Sequence, residues 1–147
     1  MDEVWMEEAL LAAREALSIG EVPVGAVVIL ENQMIGRGWN RNLSDRDPSA
    51  HAEIIAMREA GAAIGNHRLI GCELFATIEP CAMCAGAMVH SRLKRLVFGA
   101  DDAKAGAVYS VMQVLNHPQL NHNMEVRGGV LADRCAGLLK DFFRERR

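Results

Sequence analysis

Four side chains of this 147-residue chain have the types and spacing to activate a water molecule. They are His51 and Glu53 of His51-Ala52-Glu53, and Cys81 and Cys84 of Glu79-Pro80-Cys81-Ala82-Met83-Cys84. An imidazole and two thiols are zinc ligands. Three protein ligands leave the fourth tetrahedral position open for water, which separates a catalytic ion from a closed structural one. An ion of this kind brings its water to a pKa of about 7. Glu53 is not needed as a ligand, so it is free to take the water's proton and pass it to a ring nitrogen and then to a departing amine. Attack on an amidine-like carbon with loss of ammonia is hydrolytic deamination. A zinc peptidase more often carries H-E-x-x-H on one helix, and that motif is absent.

Other uses of the cysteines remain open at this point. Cys81 and Cys84 alone would also suit a thioredoxin-like redox pair, a reading that His51 and Glu53 weaken. Cys72 at the entrance to a strand and Cys135 on an apolar helical stripe read as small buried hydrophobes. Without a secretory signal, disulfides are not expected.

Elements must bring the two halves of the constellation together. His51 and Glu53 are two apart, about 200° around a helix axis, so they serve one pocket only near a helix end. The run Ser49-Ala50-His51-Ala52-Glu53-Ile54-Ile55-Ala56-Met57 predicts a helix capped by Ser49 or Asp47. Pro80 is suited to the start of a second helix, with Cys81 and Cys84 on one face of its first turn. The positive end of a helix favours thiolate over thiol.

Around these, Trp5, Ala9, Ala12, Ala13, Ala16 and Leu17 repeat at helical spacing, and Gly20 follows as a terminator. Val22–Leu30 and Gln33–Asn40 predict an antiparallel hairpin across Glu31-Asn32. Leu74–Ile78 and Arg95–Ala100 predict strands, and Met124–Arg127 a weaker one. Ser110–Leu115 predicts a short helix. Leu131, Cys135, Leu138, Leu139 and Phe142 mark a last amphipathic helix. The sum is an α/β chain: one domain over 1–147, a three-layer α/β/α sandwich with a central mixed five-stranded sheet. The segment Ala82–Val89 is apolar or small on every face. Such a helix is either central in the core or covered by another subunit.

Half of the residues are hydrophobic and the net charge is -3, so no global basic signal marks a nucleic-acid partner. Basic residues do cluster locally: Arg92, Lys94 and Arg95; Lys104; and Lys140, Arg144, Arg146 and Arg147. Each cluster taken alone reads first as a solvated surface, and charge by itself does not mark an RNA partner. No run approaches the roughly 18 apolar residues of a membrane span. The acidic Met1-Asp2-Glu3 start is unlike a secretory signal, and the expected location is cytoplasmic.

Longer blocks carry a resemblance. Glu21-Val22-Pro23-Val24-Gly25-Ala26, Gly38-Trp39-Asn40-Arg41, Asp47-Pro48-Ser49-Ala50-His51-Ala52-Glu53, Ile78 to Ala87, His90-Ser91-Arg92, Asp102 to Gly106 and Asp141-Phe142-Phe143-Arg144 are similar to the cytidine/deoxycytidylate deaminase superfamily. They are closely similar to its bacterial tRNA-specific adenosine deaminases. The resemblance implies a cytidine deaminase-like fold, one Zn2+ per subunit, a homodimer, and conversion of adenosine to inosine at the wobble position of the tRNA anticodon. It implies His51, Cys81 and Cys84 as ligands, Glu53 as proton shuttle, Asn40 as a contact to the flipped base and Val22 as pocket wall. Asp102, Lys104, His117, Phe143 and Arg144 fall at positions resembling the RNA-contacting rim. Tyr109 stands where relatives often have a small residue. The competing expectation is a deaminase of free bases or nucleosides, guanine or cytosine, built on the same zinc core.

Overall fold

The computed structural model describes residues 1–146; Arg147, last of the C-terminal basic residues, lies outside them. Helix α1 spans Asp2–Ser18, and its buried face is Met6, Ala9, Leu10, Ala12, Ala13 and Ala16. Gly20, at φ 79°, turns the chain out of it. Strands β1 (Gly25–Leu30) and β2 (Gln33–Trp39) form the expected hairpin. Glu31 and Asn32 at its tip both take positive φ, as a tight two-residue turn requires. A short helix α2 (Asn42–Asp45), unforeseen in a segment of loop composition, precedes α3 (Ala52–Ile64). Then follow β3 (Glu73–Ile78), α4 (Ala82–His90), β4 (Arg95–Ala100), β5 (Glu125–Arg127) and α5 (Ala132–Glu145).

The strands form one five-stranded sheet in the order β2-β1-β3-β4-β5. β1 is antiparallel to β2 and β3, whereas β3, β4 and β5 run parallel. Both faces are buried, and the period of two divides them. Val27, Ile29, Phe75 and Val97 pack with Met6, Leu10 and Cys135 of α1 and α5. Ala26, Val28, Leu74, Ala76, Leu96 and Phe98 pack with Ala52, Ala56, Cys84 and Met88 of α3 and α4. The result is the three-layer α/β/α arrangement with a mixed sheet. Close approach of α3 to β2 depends on Gly38: a Cβ there would lie 2.4 Å from the Ala52 carbonyl and 2.7 Å from the Ala56 amide. No helix among the described residues is long and apolar enough to cross a membrane.

Three local expectations need correction. Residues 110–115 form turn and irregular backbone, not a helix. Their amides go elsewhere: Ser110 donates to the Glu79 carboxylate, Val111 and Met112 to the Gly106 carbonyl and Val114 to that of Ala107. Neither Ser49 nor Asp47 caps α3. Asp47 Oδ1 instead accepts from the Ser49 amide and hydroxyl, while the Ala52 amide donates to Asn40 Oδ1 at 2.9 Å. Pro80 lies one residue before the N-cap of α4, which is Cys81 itself.

Candidate metal centre and active site

His51 is the N-cap of α3 and Cys81 the N-cap of α4, both in extended backbone. The parallel pairing of β3 and β4 places the start of α4 at the C-terminal edge of the sheet. β2 ends at Trp39, and Asn40 just beyond it reaches the start of α3. Two helix N-termini therefore converge. The donor atoms of His51, Cys81 and Cys84 lie within 4.8 Å of one another. His51 Nδ1 is 3.5 Å from Cys81 Sγ and 3.5 Å from Cys84 Sγ. A tetrahedral zinc with Zn–S of about 2.3 Å and Zn–N of about 2.0 Å requires an N···S edge of about 3.5 Å. The donor set fits such an ion in element, spacing and number, with Nδ1 the His51 nitrogen that faces both sulfurs.

Electrostatics points the same way. The hydrogen bond with Cys84 is the main reason the Cys81 thiol is lowered to about 3, against the opposing effect of burial; the His51 bond adds to it. Cys84 moves in the opposite direction, pushed up first by Cys81 and then by burial. His51 is raised by its bond to Cys81. With protons alone the two sulfurs share one, because two adjacent buried thiolates repel. A divalent cation removes that conflict.

Glu53 sits in the first turn of α3, 3% exposed. Burial pushes its carboxyl up to about 7, a value suited to exchanging protons near neutrality. The carboxylate lies within reach of Cys84 and its own amide.

A cavity of about 320 Å³ opens beside these groups, at the small end of the range for ligand pockets. His51, Glu53 and Cys81 line it, with Val22, Asn40, Asp102, Lys104 and Phe143. Five of the seven residues expected to touch substrate thus meet the candidate metal group in one cavity. Asn40 Oδ1 is occupied by the Ala52 amide, and its Nδ2 makes no hydrogen bond to a described residue. Asp102 Oδ1 accepts from the amides of Lys104 and Ala105. Phe143 is half exposed and meets Phe142 edge-on at 5.2 Å.

His117 and Arg144 do not line the cavity. His117 is exposed in the 116–124 loop and accepts from the Gln119 amide. Arg144 pairs with Asp141 on the outer side of α5 at 2.6 Å. Tyr109 is exposed, its ring 6.1 Å from that of Phe98. Val24, Ile78, Ala105 and Leu139 also line the cavity. Sequence reasoning placed Leu139 only on an apolar stripe and Ile78 only at a strand end. Glu79 was part of a motif with no chemistry attached, yet it lines the cavity and is buried. Burial would raise its carboxyl; bonds from Ser110, Tyr109 and Asp102 outweigh that and hold it at about 2.

The class these features define is the deaminase domain: the model of the MafB19-like deaminase family matches residues 1–147. The chain is 49% identical over 147 residues to the tRNA-specific adenosine deaminase of Haemophilus influenzae, covering 99% of this chain and 85% of that protein. It is 44% identical over 146 residues to the tRNA-specific adenosine deaminase of Bacillus subtilis, covering 99% and 91%. A solved structure from work on A-to-I editing by tRNA:A34 deaminases at the wobble position superimposes with a TM-score of 0.89 at 42% identity, covering 92% of this chain and 98% of that one. Guanine deaminase from Nitrosomonas europaea shares the fold with a TM-score of 0.78 at 27% identity, covering 95% and 83%. The chain belongs to the family of tRNA-specific adenosine deaminases.

Proposed function

We infer that the protein converts adenosine to inosine at the wobble position of a tRNA anticodon, using the whole of 1–147 as one deaminase domain. The observation that carries the reading is the cavity itself. It is large enough for a single base, it is bordered by the His51-Cys81-Cys84 group and Glu53, and its outer wall carries Lys104 and Phe143. His51, Cys81 and Cys84 hold one Zn2+, which supplies Lewis acidity that brings a water's pKa to about 7.

Glu53 takes a proton from the attacking water and delivers it to a ring nitrogen of adenine. The carbon's bond to oxygen forms in that addition. Glu53 then moves the hydroxyl's proton to the exocyclic amine, the carbon–nitrogen bond breaks, ammonia leaves, and the carbon–oxygen bond becomes the carbonyl of inosine. Burial keeps the carboxyl near the pH at which both transfers run. Nδ2 of Asn40 is a donor to a ring acceptor of the base, since its Oδ1 is already engaged. The bidentate pairing open to a free asparagine is thereby reduced to a single donated bond. Val22 supplies apolar wall. Lys104 meets backbone phosphate and Phe143 stacks on a splayed loop base, the mode by which single-stranded RNA loops are recognised. An unpaired loop adenine is also cheaper to extract than one in a duplex. Asp102 shapes this rim. Arg144 and His117 contribute to a wider RNA surface outside the cavity.

The active species is a homodimer in the cytoplasm, where tRNA is found. Support for the dimer comes from a groove of about 640 Å³ between α3 and α4, lined largely by apolar groups such as Ile54, Met57, Leu69 and Ala87. Met83 of α4 is also exposed. Sedimentation as a monomer at micromolar concentration would contradict it. A deaminase of free guanine or cytosine shares the metal group and Glu53 but has no use for a basic, aromatic rim. Incubating total tRNA with the enzyme and sequencing for adenosine-to-inosine changes tests the substrate. Changes are expected at the wobble position, and tRNA left unaltered would overturn the reading.

A further inference from the structure

Glu79 takes no part in the proton chemistry assigned to Glu53, yet its carboxylate is 1% exposed and is among the most heavily bonded groups in the chain. Oε1 accepts from the Asp102 amide at 3.1 Å and from the Ser110 hydroxyl at 2.5 Å. Oε2 accepts from the amides of Val108, Tyr109 and Ser110 at 3.0, 2.8 and 3.0 Å. All these donors lie in one segment, 102–110, more than twenty residues further along the chain. Gly106 completes the fit. A Cβ at that position would lie 2.4 to 2.5 Å from the carboxylate atoms, so the segment closes over Glu79 only with glycine there.

The bonds run on towards the cavity in both directions. The Glu79 amide donates to the Ala100 carbonyl, joining the ends of β3 and β4. The Ala107 amide donates to the carbonyl of Pro80, immediately before Cys81. Asp102, held by its amide to Glu79, turns its own carboxylate to the amides of Lys104 and Ala105. Asp102, Lys104 and Ala105 are the three residues of this segment that line the cavity. An anion that collects four backbone amides supplies partners to a segment that lies outside any helix or strand, and a buried anion of this kind persists only when its acceptors are filled.

We propose that Glu79 is the positioning residue of the substrate rim: its carboxylate is the template on which residues 102–110 fold, and through Asp102 it sets Lys104 and Ala105 against the cavity while the same segment is tied to the carbonyl before Cys81. This rests on the reading of that rim as the RNA contact. Glutamine at 79 keeps the shape but offers one acceptor oxygen, and its amide group faces donors it cannot accept from.

The test compares zinc-loaded wild type with Glu79→Gln, and with Gly106→Ala, which leaves the carboxylate in place and crowds the segment off it. Amide hydrogen exchange reads the template without substrate. The amides of Asp102, Val108, Tyr109 and Ser110 are expected to lose protection while those of β3 and β4 keep theirs. Turnover of an anticodon stem-loop is expected to show KM raised by about tenfold or more with kcat within about threefold, a split that general loss of stability does not produce. Unchanged protection of those amides, or a wild-type KM in both variants, overturns the proposal. Wild-type enzyme that forms no inosine in the stem-loop overturns the substrate reading and Glu79's place in binding with it. The exchange result then decides separately whether the carboxylate templates the segment.

Discussion

The side-chain oxygen of Asn40 accepts the amide of Ala52 at 2.9 Å, in a site where both residues are buried. Ala52 is the first residue of α3 and lies between His51 and Glu53. One bond therefore joins the cavity wall to the helix start that carries His51, of the candidate metal group, and Glu53. It also satisfies one of the amides that a helix N-terminus leaves without an internal partner. Asn40→Ala is expected to lower stability by about 1–2 kcal/mol, the cost of leaving a buried donor unmet. KM for an anticodon stem-loop should rise with bound zinc retained. Denaturant unfolding, steady-state kinetics and metal content measure the three effects, and an unchanged KM would remove Asn40 from the substrate contacts.

Lys104 borders the cavity and makes no ion pair with a described residue. As a phosphate contact it releases about one counterion on binding, so Lys104→Ala should weaken RNA affinity and make the log Kd against log salt plot shallower by about 0.7 to 0.9. Binding titrations at several salt concentrations decide this. A slope equal to that of wild type would exclude a phosphate contact.

Away from the site, Asp2 ties the start of α1 to the sheet through Arg95 at 2.7 Å and Arg127 at 2.6 Å. The hydrogen bond from Arg95 is the main cause that lowers its carboxyl from 3.8 to about 2, against burial, with Arg127 adding to it. Because the folded value is the lower one, the stabilisation is complete above pH about 4 and is lost as pH falls towards 2. Asp2→Asn should cost on the order of 1–2 kcal/mol at pH 7, after discounting for the exposed partner. The gap between the variant and wild type should narrow between pH 4 and 2. Unfolding curves across that range check it; a gap independent of pH would show that the loss is not electrostatic.

The candidate metal group and the acid beside it were legible because His51, Glu53, Cys81 and Cys84 announce themselves by type and by short spacing, and because each pair lies at a helix start that local pattern locates. The strands were legible because burial on both faces leaves β-branched and apolar runs between polar breaks. What sequence did not reveal depends on distant partners. The segment 110–115 has helical composition, but its preceding amides are claimed by Glu79, about thirty residues earlier. The start of α3 has Asp47 and Ser49 nearby, yet its first amide is met from Asn40 at the end of β2. For α4, a pattern apolar on all sides could not say which face is core; Cys84, Ala85 and Met88 are buried whereas Met83 is exposed. Arg144 shares its charge with the cavity-lining Lys104 and His117 its residue type with His51, but helical phase turns the one outward and a loop carries the other away from the cavity.

The most direct measurement sets zinc-loaded wild type beside Glu53→Ala on an anticodon stem-loop bearing adenosine at the wobble position, with free adenosine, guanine and cytosine as parallel substrates. Wild type is expected to form inosine at that position and to leave the free compounds unchanged. Glu53→Ala should bind the same zinc and the same RNA yet lose turnover by at least about 10²–10⁴-fold. Near-normal turnover by Glu53→Ala, or wild-type activity confined to a free base with the stem-loop untouched, would contradict the assignment.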